Sequence, residues 1–380
     1  MTRTIIDINI LQTVPPSNIN RDDTGSPKTA VYGGVRRARV SSQAWKRATR
    51  RAFADLLDKE NLGTRTKRVV ELLADRVREK DASISAERAE ELAALTFKAA
   101  GIKLQAPRKS TKENPLPEES GYLLFVSARQ LDRLAEIAVA AHSSDDADAS
   151  IKAAGVKKSL DLDNSVDLAL FGRMVADASD LNVDAAAQVA HAISVHPVEN
   201  EFDYFTAVDD HKDADDEEDA GAGMIGTVEF NSSTLYRYAT VDVNRLRDNL
   251  GDDEATRRAV EAFVQAFSRS LPTGKQNTFA NRTLPDAIVI SVRDAQPVNL
   301  AGAFEEAITT SSGRLKAASA ALASQATSVD DAFGTTPVKT WVIRVSEATD
   351  ALDALGDRTS LDAAVTALGS LVAERLAEPA

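Results

Sequence analysis

The sequence predicts an α+β fold in which long helices are inserted between the strands of one sheet. Three segments have the apolar alternation or apolar runs of buried strands, at 4–14, 286–292 and 339–345. Helical periodicity dominates between and after them, most clearly at 86–100, 127–142, 252–271, 300–327 and 360–376. This order favours a sheet of the split βαβ kind that carries a large helical insertion.

Composition limits the chemistry that the chain can perform. It has no cysteine, which excludes disulfides, thiolate metal sites and cysteine nucleophiles, and it has only four histidines. The sequence contains no dinucleotide fingerprint, no complete phosphate-binding loop and no histidine pair at metal-ligand spacing, so we expect neither a metal nor a cofactor. No apolar run is long enough to span a membrane, and Asp7 interrupts the first apolar segment. We therefore expect a cytoplasmic protein without a membrane partner.

Residues 28–51 form a strongly basic segment in a chain whose formal net charge is −13. The segment contains eight Lys and Arg residues and no Asp or Glu. The glycine pair at 33–34 predicts a tight turn, 35–40 a short strand, and the serine pair at 41–42 the start of a helix. A concentrated positive patch on an acidic protein indicates an anionic partner.

The helix predicted after the serine pair has an apolar stripe and a basic flank. Trp45 begins the stripe, whereas Lys46, Arg47 and Arg50 lie on the flank. Like charges four residues apart repel by about 0.2–0.5 kcal/mol per pair, and cations in the first turns oppose the helix dipole. A solvated face is the usual outcome for a charge run. However, a helix N-terminus beside cations suits phosphate oxygens, so we predict phosphate binding.

The segment 60–185 is predicted to be helical and elaborated. Within it, Lys152, Lys157 and Lys158 form a second, weaker basic cluster. Exposed lysines at a helix end and a functional surface are equally good interpretations of that cluster. Met174 is expected to fill the core, which is the usual behaviour of methionine.

A helix is predicted over 184–195, ending before Pro197. After it, 202–208 and 226–243 have strand patterns and predict an extended ribbon. The acidic stretch 209–222 between these strands is expected to be a solvated loop at the tip of the ribbon, in preference to a cation site.

His191 and His196 are candidate general acid–base residues, because imidazole can serve in RNA cleavage. No partner nucleophile or carboxylate accompanies them in the sequence, so a packed His191 and a helix-terminal His196 are the better interpretation.

Seven segments run in one order along most of the chain: SNINRDD (17–23), AVYGGVRRARVSSQAWKRATR (30–50), VDLALFGRM (166–174), QVAHAISVH (188–196), FDYFTAVDD (202–210), GTVEFNSSTLYRYA (226–239) and GKQNTFA (274–280). Together they resemble the CasC-type backbone subunits of type I-E CRISPR Cascade complexes. The first two segments are highly specific. The helical insertion and the C-terminal third match less distinctly, and the acidic stretch is longer and more acidic than in the family.

The resemblance implies a ferredoxin-like palm, similar to an RNA-recognition motif, with a large helical finger insertion and a β-ribbon thumb. It divides the chain into the first part of the palm (1–59), the finger (60–185), a palm helix (186–197), the thumb ribbon with its acidic tip (198–238) and the second part of the palm (239–380).

The resemblance also implies a non-catalytic scaffold. Such a subunit binds CRISPR RNA by its phosphate backbone, polymerises head to tail along it beside other Cascade subunits, and presents it to target DNA. Because guide sequences vary, contacts with phosphates suit this role, and a chain with 5% aromatic residues can supply them. A guide-processing endoribonuclease that uses His191 or His196 is the alternative. An interaction protein without nucleic acid is a third class, against which the basic segment argues.

The residues implied as guide RNA contacts lie in loops, on the basic strand and helix, and on the ribbon: Asn20, Arg21, Lys28, Arg36, Arg37, Arg39, Ser41, Ser42, Gln43, Lys46, Arg47, Arg50, Met174, Thr206, Ile225, Lys275 and Gln276. The resemblance assigns Met174 a wedge against nucleotides, in contrast to the core position expected from its residue type. The three lysines of the weaker cluster are implied contacts with target DNA.

Overall fold

The structure is a computed structural model that describes residues 2–111, 113–207 and 224–378. Its strands are β1 (Ile5–Ser17), β2 (Thr29–Tyr32), β3 (Val35–Val40), β4 (Gly63–Thr66), β5 (Leu104–Gln105), β6 (Glu119–Ser120), β7 (Leu124–Ser127), β8 (Ala187–Val189), β9 (Ala192–Ser194), β10 (Glu201–Ala207), β11 (Met224–Asp242), β12 (Ala287–Arg293), β13 (Lys339–Arg344) and β14 (Asp357–Arg358). Its α-helices are α1 (Ser42–Ala52), α2 (Val69–Lys80), α3 (Ala86–Ala99), α4 (Ala128–His142), α5 (Ala147–Ala153), α6 (Val156–Asp161), α7 (Val166–Phe171), α8 (Val243–Leu250), α9 (Asp253–Arg269), α10 (Gln276–Phe279), α11 (Arg314–Phe333) and α12 (Leu361–Ala377).

The chain folds into two compact units. We call the first the sheet unit; it comprises Met1–Ala52, Val189–Thr240 and Phe263–Ala380. The second, the helical unit, comprises Phe53–Gln188 and Val241–Ala262. The helical unit thus includes the segment 60–185, for which the resemblance implies the finger, together with 241–262, which the resemblance assigns to the second part of the palm.

The sheet unit is built on a mixed sheet with the strand order β14-β13-β12-β1-β11-β9-β3-β2. The strands predicted near both ends of the chain are adjacent, because β1 pairs with β12 and β12 with β13, both antiparallel. The β13–β14 pair is parallel. The fold is thus α+β with a large mixed sheet, as the sequence predicts.

Alternation along β11 divides the core of the sheet unit between two faces. Tyr236 and Tyr238 join a buried cluster with Leu322 of α11. Arg237, between them, points to the opposite face and stacks on Trp45 of α1. The basic helix and α11 therefore cover opposite faces of the sheet.

The helical unit has its own core, in which Leu73, Phe97 and Leu134 represent helices α2, α3 and α4. Ser127 begins α4 with a capping box, because its hydroxyl accepts from the Gln130 N–H and the Gln130 side chain accepts from the Ser127 N–H. None of the helices in the described residues is both long and apolar enough to cross a membrane.

Three local predictions are wrong. The single helix expected over 300–327 is instead a short 3₁₀ helix, Leu300–Phe304, followed by α11, which begins at Arg314. The helix expected over 184–195, which is also the palm helix of 186–197, is replaced by β8 and β9. Within β8 and within β9 the residues alternate between buried and more exposed positions, because they line the sheet beside β3 and β11. In addition, β1 does not stop at the proline pair 15–16 but continues to Ser17. The acidic stretch 209–222 lies outside the described residues.

Candidate nucleic-acid interface

The loop that connects β1 to β2 is held in a defined conformation. The Asp22 carboxylate accepts from the Thr24 N–H at 2.9 Å and from the Ser26 N–H at 3.1 Å. The bond from the Thr24 hydroxyl, together with these two backbone bonds, lowers the pKa of Asp22. Arg21 is exposed on this loop, and its backbone bridges to Pro27. The loop therefore presents Arg21 from an ordered backbone.

Asn20 connects this loop to the start of the basic helix. Its side-chain oxygen accepts from the Ser41 N–H at 2.8 Å, and its carbonyl accepts from the Lys28 N–H at 2.9 Å. Ser41 in turn caps α1, because its hydroxyl accepts from the Ala44 N–H. Asn20 and Ser41 therefore position the backbone at the helix N-terminus.

Lys28 and Arg39 lie opposite each other across the β2–β3 ladder, since the Arg39 N–H donates to the Lys28 carbonyl. Like charges in this arrangement destabilise a sheet. Arg39 also donates from Nε to the Thr29 carbonyl, and its Nη1 lies 3.2 Å from Nδ1 of His191. The structure thus brings three basic side chains together near the start of α1.

The polar flank of α1 begins with two cations, Lys46 and Arg47. In the described part of the chain, no carboxylate pairs with Lys46 or Arg47, and the first turn of α1 has no acidic residue. Lys46 is half-buried, and desolvation lowers its pKa. Ser42 is half-buried and Gln43 exposed in the first turn. An anion would relieve the desolvation of Lys46 and complement the helix N-terminus.

The loop before α10 lies against the β1–β2 loop. A Cβ atom at Gly274 would stand 2.4 Å from the Ile19 carbonyl oxygen, so only glycine permits this approach. Lys275 follows with a positive φ of 49°, and Gln276 is exposed. The structure therefore places Lys275 and Gln276 in the neighbourhood of Asn20.

The adjacent arginines of β3 have different environments. Arg36 is exposed, whereas Arg37 is 0% exposed and donates to the Ser194, Phe304 and Glu305 carbonyls at 2.9–3.2 Å. The prediction that Arg37 contacts RNA is therefore corrected: its guanidinium fastens the β3 edge to neighbouring backbone.

His196 is also buried, with 4% of its surface exposed. Its Nδ1 lies 2.8 Å from the Pro197 carbonyl and donates to it, while Nε2 accepts from the Thr234 N–H at 3.1 Å. Burial lowers the pKa of His196 to about 4. Both nitrogens are committed to the fold, so His196 is not available as a general base.

Met174 does not fill the core, because it is 83% exposed in the helical unit. Gly172, with φ of 79°, turns the chain, and Arg173 then pairs with Val183 through two backbone hydrogen bonds of 2.9 Å. The Arg173 side chain is buried, with Nη2 donating to the Leu160 carbonyl at 2.8 Å. This anchored neighbour projects Met174 into solvent.

Thr206 and Ile225 are directly opposite each other on the β10–β11 ribbon. Ile225 is 62% exposed, and Phe202 and Tyr204 are exposed on the same face as Thr206. These two aromatic residues are not among the contacts expected from the sequence. The alternation of Phe202 and Tyr204 with Asp203 is the sequence pattern that places both aromatic side chains on one face of the ribbon.

The three lysines of the weaker basic cluster lie in the helical unit. Lys152 pairs with Asp148 at 2.5 Å and Lys157 with Asp180 at 3.1 Å. Lys158 has no such pair among the described residues. Two of the three charges are therefore already balanced by aspartates.

Comparison with known proteins identifies the family. The family model described as CT1975-like protein matches residues 6–367. The chain belongs to the CT1975-like family. Two solved structures resemble this CT1975-like protein over nearly its whole length. One, described as "CRISPR RNA-guided surveillance complex, pre-nicking", is 38% identical with a TM-score of 0.82, and the match covers 96% of this chain and 100% of that one. Another, "CRISPR RNA-guided surveillance complex", is 32% identical with a TM-score of 0.72, covering 96% and 99%. No curated protein matches the chain.

Proposed function

We propose that this CT1975-like protein is the CasC-type backbone subunit of a type I-E Cascade complex. It binds CRISPR RNA through phosphates, polymerises head to tail along it beside other subunits, and presents it to target DNA without cutting it. The sheet unit acts as the ferredoxin-like palm, the helical unit as the finger, and the β10–β11 ribbon as the thumb.

The observation that carries this proposal is the group of cations on the residues that lead into α1 and in its first turns. Lys28, Arg39 and Lys46 lie on separate elements, and Asn20 and Ser41 order the backbone between them. Such a site attracts phosphates, whose contacts carry no base sequence. The similarity to two chains from RNA-guided surveillance complexes supports the same function.

Contact with target DNA belongs to the helical unit in this proposal. Lys158 is the favoured contact, because a phosphate at Lys152 or Lys157 competes with Asp148 or Asp180. Met174, exposed beside the anchored Arg173, serves as an apolar contact with nucleotides, and Ile225 on the ribbon does the same.

The deciding experiment reverses the charge of the basic flank. The variant K46E/R47E/R50E removes the phosphate-binding surface but leaves Trp45 and its packing in place. We expect RNA affinity, measured by fluorescence anisotropy, to fall by about 100-fold or more, since three charge-assisted contacts are replaced by repulsion. The circular-dichroism spectrum should be unchanged.

The control K59E/R78E/R358E makes the same change in net charge at exposed residues elsewhere. It should bind RNA within a few-fold of the unmodified protein at 0.15 M salt, where distant charges are screened. Equal losses in both variants, or full RNA binding by the first, would overturn the proposal.

A further inference from the structure

His191 occupies a position that neither the basic segment nor the family resemblance marked as an RNA contact. In the β3–β9 register, Arg39 pairs with Ile193 and Val40 with the next residue of β9. His191 directly precedes β9, and its imidazole contacts Arg39, which lies two residues before Ser41, the cap of α1. His191 therefore lies near the N-terminus of the basic helix.

The contact with Arg39 determines which imidazole nitrogen can donate. Arg39 Nη1 lies 3.2 Å from His191 Nδ1. A guanidinium has only donors, so Nδ1 accepts, and a neutral His191 carries its proton on Nε2. The residue is exposed, and Nε2 has no partner within the part of the chain that the structure describes. A ligand can therefore accept from Nε2.

Partial burial and the surrounding charges favour the neutral form of this imidazole. Partial desolvation and the nearby charges of Arg39 and Lys28 lower the pKa of His191 below its usual value. His191 thus brings a hydrogen-bond donor to a site where the fixed positive charge comes from Lys28, Arg39 and the helix N-terminus. A phosphodiester oxygen complements this combination.

We propose that His191 is an additional RNA-backbone contact, donating from Nε2 to a phosphate oxygen that lies between Lys28, Arg39 and the N-terminus of α1. This inference rests on the proposed function. It makes a distinctive prediction, because a neutral donor strengthens phosphate binding without displacing a counterion, whereas each cation that binds a phosphate displaces about 0.7 counterion from single-stranded RNA.

The test measures the affinity of the full-length chain for single-stranded RNA between 50 and 300 mM KCl, for the unmodified protein and four variants, with thermal unfolding as the check of folding. His191→Ala removes the donor. His191→Gln keeps an amide donor near the Nε2 position, whereas His191→Asn places its amide near Nδ1, too short for that role. Lys46→Ala removes one cation and serves as the reference for a lost charge.

We expect H191A and H191N to bind about tenfold more weakly at every salt concentration, with the slope of log affinity against log salt unchanged, and H191Q to recover most of the loss. K46A should flatten the slope by about 0.7. The inference is overturned if H191A binds like the unmodified protein, if H191N binds as tightly as H191Q, or if H191A flattens the slope as K46A does. Failure of the unmodified protein to bind RNA would contradict the proposed function instead.

Discussion

The guanidinium of Arg237 lies over the Trp45 ring, with 3.7 Å between Cζ and the ring centroid. Arg237 is also stacked on Phe267 at 4.6 Å, donates to the Gln12 side chain at 2.6 Å, and donates to the Phe267 carbonyl. Burial lowers the pKa of Arg237 to about 9. Because Trp45 precedes Lys46 in α1, this stack joins the basic helix to central strand β11.

A double-mutant cycle measures that connection. We expect W45A alone to lower the free energy of unfolding by about 3–5 kcal/mol, since a fully buried Trp leaves a cavity. The coupling energy between W45A and R237M should be about 2 kcal/mol, the value for a desolvated cation–π pair. Urea unfolding of the four proteins gives both numbers. Additivity within about 0.3 kcal/mol would mean that the stack does not join the two elements.

Salt dependence reports how many phosphates each subunit neutralises. If each copy binds about four phosphates, log affinity should fall against log salt with a slope of roughly −3, from ~0.7 per phosphate of a single strand. Fluorescence titrations of a short labelled RNA at several KCl concentrations measure this slope. A slope near zero is incompatible with a phosphate-binding surface at α1.

His196 predicts a specific loss of stability in acid. Its pKa is about 4 when folded and about 6.5 when unfolded, so protons bind preferentially to the unfolded chain between these values. Its contribution is therefore fully present above pH 6.5 and is lost by up to about 1.4 kcal/mol per pH unit below it. The H196Q variant cannot titrate, so its stability difference from the unmodified protein should shrink between pH 7 and 4.5. Parallel stability curves from chemical denaturation would contradict this.

The endoribonuclease alternative predicts cleavage, and the scaffold predicts none. Because both nitrogens of His196 are bonded within the protein, we expect precursor RNA to keep its length when incubated with the purified protein, with or without Mg²⁺. Denaturing gels give the result. A discrete product that disappears in H191A would favour the enzyme.

The number of protein copies bound to one RNA should increase with the length of that RNA. The site at α1 is small compared with a guide RNA, so further copies must bind along the strand, and a head-to-tail contact permits this because it does not close. We expect native mass spectrometry on RNAs of graded length to show stepwise and cooperative addition of copies. A single bound copy on every RNA, whatever its length, would contradict the proposal of a polymerising scaffold, even if α1 binds phosphate.

The sequence predicted the long elements well because their periodicity is strong. Helices α3, α4 and α12 and strands β12 and β13 begin and end within about two residues of their predicted bounds. The short segment 187–194 is predicted to be helical but forms strands. Its few apolar residues are compatible with either a helical or a strand period, and only the pairing with neighbouring strands decides between the two.

The site was predicted less completely, because partners distant in sequence determine exposure. Arg36 and Arg37 are adjacent and chemically identical, yet carbonyls near 194 and 304 make Arg37 a buried structural residue. The local alternation of β3 does not contain that information. His191 gained its place beside Arg39 only through the β3–β9 register, and Met174 is exposed because the Arg173–Val183 bridge turns it outward.

Strand β11 runs without interruption for 19 residues, from the ribbon to the middle of the sheet. At about 3.4 Å per residue it extends over roughly 65 Å. Because β11 pairs with β10 at Ile225 and with β9 at Tyr236, we expect a load applied at Ile225 to reach Arg237 along one continuous strand. Tension on the ribbon would therefore reach Arg237, on which Trp45 of the basic helix is stacked, without passing through a hinge.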